Sequence, residues 1–167
     1  DAIMLSGETS IGKYPVEAVS MMSKVALEAE KALPYDSILL AKREHMEHQT
    51  DDAIAYNSCQ TAYQLNADLI VAFTESGSTA ARVSKYRPRS NILALTPFHK
   101  TQLRLTLTWG VTPVTTLPVK DVNDFFRIVK KEASKSPEIK GEGLVVLVAG
   151  LPIGVPGGTN MMRVMPV

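Results

Sequence analysis

Short apolar runs alternate with segments of helical periodicity over most of this sequence. Four runs predict strands, most of them continuously apolar as in strands buried on both faces of a sheet: Leu69–Phe73, Ile92–Leu95, Val111–Thr115 and Leu144–Val148. The segments before and between them predict helices over Asp51–Leu65, Gly77–Tyr86, His99–Thr108 and Val122–Ser134. Strands and helices that alternate in this way indicate right-handed βαβ units and a parallel sheet covered on both faces.

The last connection is too short for another crossover of this kind. Only Gly150–Thr159 separates the fourth predicted strand from the apolar run Met161–Met165, whereas a parallel connection needs about a dozen residues or more. The final strand is therefore expected to run antiparallel at a sheet edge, where Pro166 is tolerated. The predicted fold is an α/β, three-layer α/β/α sandwich with a mostly parallel sheet of about five strands and an antiparallel edge strand.

The first part of the chain follows a different pattern. Residues Asp1–Leu5 predict a buried strand, and a chain that begins inside a strand is expected to be part of a longer protein; a trimmed terminus is the alternative. Apolar residues then recur at helical spacing over Pro15–Leu33, with proline and glutamate in the first turn, as helices favour. The polar stretch Tyr35–Thr50 is interpreted as a connection, which divides the chain into residues 1–34 and 35–167.

The composition argues against several classes of function. Hydrophobic residues make up 45% and charged residues 21% of the 167 residues, a globular balance that argues against disorder. The net charge of +1 gives no electrostatic basis for binding nucleic acid or an anionic membrane, and no apolar run approaches the roughly 20 residues of a membrane span. The single cysteine, Cys59, lies on an apolar helical face without a disulfide partner, so we expect it in the core of a cytoplasmic protein.

The segment Thr74–Thr79, between the first strand and its helix, carries the most informative polar residues. Its four hydroxyls, together with Gly77, lie where the backbone N–H groups of a helix start are unpaired. Such a helix start attracts anions, because several donors and the positive end of the helix dipole converge there. The segment therefore predicts a phosphate site. The alternative is an ordinary helix cap, a position that serine and threonine favour.

A second segment, Gly150–Thr159, holds four glycines and two prolines and leaves the fourth strand at its carboxyl end. In open α/β sheets, ligands lie outside the carboxyl ends of the strands, where the strand order reverses. If the first and fourth strands are neighbours, this segment faces Thr74–Thr79 across that crevice and closes over an anion. The alternative is a hairpin turn that needs glycine for its backbone dihedrals.

A metal site is a weaker hypothesis. His45 and His48 lie close enough in sequence to share one face of a helix, but a histidine pair in a charged connection is most often solvated. Neither a fuller set of metal ligands nor a nucleophile paired with a base is apparent in the sequence. We therefore predict no metal site.

Two groups of residues resemble one family of enzymes. Asp1–Thr9, followed by Gly12–Val19, closely resembles the end of the catalytic barrel of pyruvate kinases. Three further segments, Thr74–Ser78, Tyr86–Arg89 and Thr159–Val164, resemble the C-terminal domain of the same family. The resemblance covers essentially the whole chain in the family's order. It implies that residues 1–34 are the last strand and helix of a (β/α)8 barrel, and that residues 35–167 are the C-terminal allosteric domain.

The resemblance implies a glycolytic transferase that moves phosphate between phosphoenolpyruvate and ADP, with magnesium and potassium, usually as a cytoplasmic tetramer. The family's acidic magnesium ligands, catalytic lysine and potassium-binding residues have no counterpart here, and only Ser6 and Glu8 match the rim of its catalytic site. Because phosphoryl transfer depends on positioning and on the charge of metals and cations, this chain alone is expected to be inactive and to hold no cofactor. An independent phosphate-ligand-binding protein that reuses the domain is the alternative.

The resemblance also implies an allosteric effector site. Its phosphate loop corresponds to Thr74, Glu75, Ser76, Gly77, Ser78 and Thr79, and its closing loop to Leu151–Gly158 with Gly154, Gly157 and Gly158. That closing loop is longer and richer in glycine than in animal and yeast members, in the manner of many bacterial enzymes. Near Asp124, where members that respond to fructose 1,6-bisphosphate carry an arginine for the second phosphate, no matching cation is present. The comparison favours a monophosphate, such as ribose 5-phosphate or AMP.

Overall fold

A five-stranded sheet forms the centre of the computed structural model, which describes residues 1–119, 121–153 and 158–167. Its strands lie in the order β3-β2-β1-β4-β5 and have these bounds: β1 Leu69–Phe73, β2 Asn91–Thr96, β3 Val111–Thr115, β4 Leu144–Ala149 and β5 Met161–Pro166. The pairs β2–β3, β1–β2 and β1–β4 are parallel, and β4–β5 is antiparallel. The expected parallel sheet with an antiparallel edge strand is confirmed.

The predicted helices are all present. The described residues form α1 Gly7–Ser10, α2 Pro15–Lys31, α3 Tyr35–Lys42, α4 Thr50–Leu65, α5 Ser78–Lys85, α6 His99–Leu105 and α7 Val122–Ala133. The helix predicted to continue to Thr108 ends at Leu105, and the other predicted ends agree within about two residues. None of the helices in this part of the chain combines the length and the apolar character that crossing a bilayer requires.

The sheet divides the core into two clusters, because successive residues of a strand point to opposite faces. Ile70 and Ala72 of β1 pack with α4, α5 and α6, whereas Val71 and Phe73 pack on the side of α7. Cys59 of α4 lies in the first cluster, as expected. Helices cover both faces, which confirms the three-layer arrangement.

The strand order reverses beside β1. From β1 the chain continues to β2 and β3 on one side, and after α7 it crosses to β4 on the other side of β1. Because β1 and β4 are parallel, with Ala72 opposite Val148, the loops that follow them leave the sheet at the same edge. The first and fourth strands are therefore neighbours, as the two-loop hypothesis requires.

The expected strand at Asp1–Leu5 is wrong for this chain. These residues form no strand, and the side chains of Ile3 and Met4 are 62% and 85% exposed. A strand needs neighbours for its backbone N–H and C=O groups, and none of the five strands pairs with this segment. The helix expected after it is present as α2.

The stretch Tyr35–Thr50 is more ordered than the connection that its polarity predicts. It contains α3 and a 3-10 helix, Arg43–His45. The side chain of Leu39 in α3 is buried in the cluster beneath α4 and α5. The Tyr63 hydroxyl also donates to Asp36 at 2.7 Å, so both an apolar and a polar contact hold this short helix.

Helix α4 begins at Thr50, one residue before its predicted start, so neither Asp51 nor Asp52 is its N-cap. They lie in its first turn and form ion pairs with α5, through Arg82 and Lys85 respectively. Leu65 is exposed in the last turn, where the chain turns toward β1.

Candidate functional site

The loop between β1 and α5 turns sharply at Gly77. Its φ of +89° is left-handed, a conformation that residues with a Cβ rarely adopt, and its N–H donates to the Thr74 hydroxyl at 2.9 Å. A Cβ at this position would lie 3.2 Å from Nη2 of Arg104 and 3.3 Å from Cδ2 of Leu105. The backbone angle therefore strongly favours glycine here, and a Cβ would in addition be crowded by two side chains of α6.

A pair of buried hydroxyls joins this loop to the segment that precedes β5. Oγ1 of Thr79 and Oγ1 of Thr159 lie 2.8 Å apart, at side chains that are only 5% and 2% exposed. The contact bridges residues far apart in sequence. It shows that the ends of the two candidate loops lie side by side where the strand order reverses.

The base of the second loop is closed by its own residues. The Asn160 side chain accepts from the Leu151 N–H at 2.8 Å and donates to the Leu151 carbonyl at 2.7 Å. A Cβ on Gly150 would lie 2.0 Å from the carbonyl oxygen of Gly158. Gly150 therefore permits the close approach of the loop's two ends, as the hairpin alternative expects. Gly154 and Gly157 lie outside the described residues.

Donors remain open at the start of α5. In the described part of the chain, the N–H groups of Thr79 and Ala80 have no hydrogen-bond acceptor. The Ser76 hydroxyl lies 3.0 Å from the Ser78 hydroxyl and 3.4 Å from the Ser78 N–H, with Ser76 exposed and Ser78 half-buried. Two backbone donors and two hydroxyls thus lie together at the start of α5, whereas the Thr74 and Thr79 hydroxyls are engaged within the fold. Glu75 is half-buried beside them.

The site also contains a cation that the sequence analysis missed. Nη2 of Arg104 donates to the Ser76 carbonyl, and the Thr101 hydroxyl donates to the Glu75 carbonyl at 2.8 Å. Both side chains belong to α6, which holds the loop from the side. No local sequence signal marks Arg104, because only the pairing of β1 with β2 brings α6 beside this loop.

At its other end, α5 is held by a buried carboxylate. Asp52 is 2% exposed, with Nζ of Lys85 at 3.1 Å from both carboxylate oxygens and the Glu47 N–H at 2.7 Å from one of them. Burial alone raises the pKa of Asp52, but the nearby Tyr86 hydroxyl, the Glu47 N–H and Lys85 together outweigh it, so the pKa is lower than usual. Helix α4 therefore fixes the position of α5 and of the loop that precedes it.

The two residues predicted at a catalytic rim lie apart from this site. Ser6 and Glu8 are exposed, and the Ser6 N–H donates to Oε2 of Glu8 at 3.2 Å. No hydrogen bond among the described residues connects them to Thr74–Thr79. His45 and His48 are exposed, and within residues 1–119, 121–153 and 158–167 no three His, Cys, Asp or Glu side chains form a group that could hold a metal ion.

The strand order and the covering helices define a doubly wound α/β domain, in which the ends of the two candidate loops meet where the strand order reverses. Over residues 52–165, the chain matches the family model described as "Pyruvate kinase, alpha/beta domain". The chain belongs to this family.

Individual relatives agree with this assignment. The pyruvate kinase of Clostridium acetobutylicum is 39% identical over 164 residues, which are 98% of this chain and 35% of that protein. The pyruvate kinase of Methylorubrum extorquens is 41% identical, over 98% of this chain and 34% of that protein. The crystal structure of a pyruvate kinase from Cryptosporidium parvum matches with a TM-score of 0.87 at 29% identity, over 97% of this chain and 32% of that one. The chain spans about a third of the length of these proteins.

Proposed function

We propose that this chain is the C-terminal part of a pyruvate kinase and that its loop Thr74–Thr79 binds the phosphate group of an allosteric effector. The whole protein would transfer phosphate between phosphoenolpyruvate and ADP, with magnesium and potassium, in cytoplasmic glycolysis. Relatives named pyruvate kinase that align with 98% of the chain support this parent activity. We propose a monophosphate as the effector.

The open donors at the start of α5 carry the effector proposal. The N–H groups of Thr79 and Ala80 have no described acceptor, and the hydroxyls of Ser76 and Ser78 have no described partner outside their own loop. Charge-assisted hydrogen bonds to an anion are each worth about 1.5–3 kcal/mol. Arg104 adds a positive charge beside the loop, so a phosphate fits this arrangement without a metal.

Exposed apolar side chains on α2 support a place for residues 1–34 in a larger assembly. Val16, Val19 and Val25 lie on this helix with 76%, 53% and 55% of their surfaces exposed. Apolar surface of this kind marks an interaction site, and we propose that the rest of the pyruvate kinase chain covers it in a homo-oligomer. Since the described residues offer no group of three metal-binding side chains, we assign no step of magnesium or potassium chemistry to this chain.

The effector site is tested by NMR titration of the chain with ribose 5-phosphate, AMP and inorganic phosphate. We expect saturable amide shifts concentrated in Ser76–Thr79 and Gly158–Thr159. Ser76→Ala removes one donor and is expected to weaken binding by about ten-fold, the equivalent of about 1.4 kcal/mol. Ser134→Ala, an exposed serine at the end of α7, is the matched control and should bind normally. An unchanged response in Ser76→Ala would show that these hydroxyls only shape the loop.

The isolated chain is expected to have no pyruvate kinase activity, because it provides only Ser6 and Glu8 of the family's catalytic residues. A coupled assay with phosphoenolpyruvate, ADP, magnesium and potassium measures this. Turnover that is proportional to chain concentration and survives repurification would contradict the expectation.

A further inference from the structure

A cavity of about 360 Å³ lies at the amino edge of the sheet, the edge opposite to the loop Thr74–Thr79. Its wall combines the end of α4 with residues that precede β1, β2 and β4 in the chain. The charged side chains in this wall belong to Asp68, Arg89 and Glu138. Because ligand pockets commonly measure about 300–1,000 Å³, a cavity of this volume suits a small polar molecule.

One side of the cavity carries two carboxylates that hydrogen bonds hold in place. Oδ2 of Asp68 accepts from the Leu144 N–H at 2.9 Å. Oε1 of Glu138 accepts from the Asn91 side-chain amide at 2.6 Å, and Oε2 accepts from the Ser136 hydroxyl. Burial raises the pKa of Glu138, but these two hydrogen bonds together outweigh it and lower the pKa. Glu138 is therefore an ordered, ionised group at neutral pH.

The C-terminal end of α4 adds negative potential to the same cavity. The helix ends at Leu65, and Asn66 caps it in a left-handed conformation with a φ of +49°. The N–H of Ala67 then donates to the Ala62 carbonyl at 2.9 Å and closes the last turn. The carbonyl end of a helix attracts positive charge, so together with the two carboxylates it favours an ammonium group.

The positive charge in the cavity wall belongs to Arg89, which is exposed ahead of β2. Arg82 and Arg87 form ion pairs with Asp51 and Asp1. Within residues 1–119, 121–153 and 158–167, by contrast, the Arg89 guanidinium has neither a hydrogen bond nor an ion pair. A free guanidinium binds a carboxylate through two parallel N–H···O bonds, so the cavity also offers a place for an anionic group.

We propose that this cavity binds a small α-amino acid, with its ammonium group at Asp68 and Glu138 and its carboxylate at Arg89. A dipolar ion meets a group of opposite charge at both of its ends, whereas a simple cation or anion also meets a group of like charge. The small side chains of Ala62 and Ala67 in the wall leave room for a short ligand side chain. The site lies at the other edge of the sheet from the proposed effector site and is independent of it.

The test compares three probes by calorimetry and NMR titration of the whole chain. L-alanine carries both charges, ethylamine lacks the carboxylate, and propionate lacks the ammonium group. We expect L-alanine to cause saturable amide shifts at Asn66–Asp68 and Arg89–Asn91. It should bind at least about ten-fold more tightly than either fragment, because each fragment loses charge-assisted hydrogen bonds. Sodium chloride at equal ionic strength controls for screening and should cause no saturable shift.

Two variants assign the ends of the ligand. Arg89→Gln should weaken the binding of L-alanine and of propionate by about ten-fold without weakening that of ethylamine. Glu138→Gln should weaken L-alanine and ethylamine and spare propionate. Lys130→Gln removes an exposed charge from α7, outside the cavity wall, and should bind all three probes like the wild type. Asp68→Asn is a second test of the ammonium end if Glu138→Gln does not fold.

Three results would overturn this inference. If L-alanine binds no more tightly than ethylamine or propionate, the cavity recognises a single charge and not a dipolar ion. If Arg89→Gln leaves the affinity for L-alanine unchanged, the carboxylate does not bind there. If L-alanine shifts only the amides of Ser76–Thr79, its carboxylate binds at the proposed effector site, which then stands while the amino-edge site is wrong.

Discussion

At the scale of single residues, the hydroxyl pair of Thr79 and Thr159 is the direct link between the two candidate loops. Both oxygens are buried, and each is the other's partner at 2.8 Å. A buried polar group that loses its partner costs about 1–3 kcal/mol. The pair therefore holds the segment before β5 against α5 whether or not a ligand is bound.

Replacing one hydroxyl tests this link. Thr79→Val keeps the shape of the side chain but leaves the Thr159 hydroxyl unpaired, so the free energy of unfolding should fall by about 1–3 kcal/mol in urea titrations. Thr79→Ser keeps the hydroxyl and should lose clearly less. A Thr79→Val variant that unfolds at the same urea midpoint as the wild type would show that the hydrogen bond does not stabilise the fold.

Asp52 makes the stability of the domain depend on acid pH. Its pKa is lowered in the folded state, so its stabilising contribution is complete above the unfolded value of about 3.9 and is lost as pH falls through the folded pKa. Urea midpoints between pH 7 and pH 2 should fall more steeply for the wild type than for Asp52→Asn.

The same variant has a cost at neutral pH. Asp52→Asn replaces a charged acceptor by a neutral one, which should lower the free energy of unfolding by about 2 kcal/mol at pH 7. Asp51→Asn removes the neighbouring ion pair, to Arg82, and controls for the loss of a charge in the first turn of α4. Parallel pH profiles for the wild type and Asp52→Asn would contradict this role of Asp52.

At the scale of elements, a comparison of two glycines distinguishes the cost of a strained backbone from the cost of steric crowding. Gly77 and Gly110 both have positive φ, at +89° and +67°, but only Gly77 has atoms near the place of a Cβ. Gly110→Ala should cost about 1–2 kcal/mol from its left-handed backbone alone. Gly77→Ala should cost more, because Arg104 and Leu105 must also move. Equal urea midpoints for the two variants would show that the contact with α6 is easily relieved.

The elements themselves were predictable to different degrees. The local sequence pattern predicts the buried strand β1 and the amphipathic α7, since a continuously apolar run indicates a buried strand and helical periodicity indicates a helix. Helix α3 was not predicted, because its one buried residue, Leu39, produces no hydrophobic periodicity. The predicted strand at Asp1–Leu5 failed because strand formation depends on neighbours, which an apolar run does not specify.

At the scale of the whole molecule, residues 1–34 lie on the surface of the α/β domain. None of them is buried. They contact the domain through Glu30, which accepts from Nε1 of Trp109 at 3.2 Å, and through Asp1, which pairs with Arg87. The Arg87 guanidinium in turn stacks on the Trp109 ring at 4.8 Å. Polar and stacking contacts of this kind add little to the stability of the main core.

Deleting residues 1–34 should therefore leave a folded domain. The variant 35–167 should unfold cooperatively in urea and be more soluble than the whole chain, because the exposed apolar side chains of α2 are gone. Circular dichroism and size-exclusion chromatography measure both properties. A variant that lacks cooperative unfolding would show that the contacts of Trp109 and Arg87 make the segment integral to the domain.

The sequence by itself determined the alternation of strands and helices, the antiparallel last strand and the hydroxyl-rich loop after β1. These follow from local periodicity, from the length of a connection and from the backbone needs of glycine. The tertiary structure alone decided that Arg104 supports this loop, that Thr79 bonds Thr159, that Asp52 is buried and that Asp68, Arg89 and Glu138 line one cavity. Such contacts join residues far apart in sequence, and they depend on which strands become neighbours and on which face each helix packs.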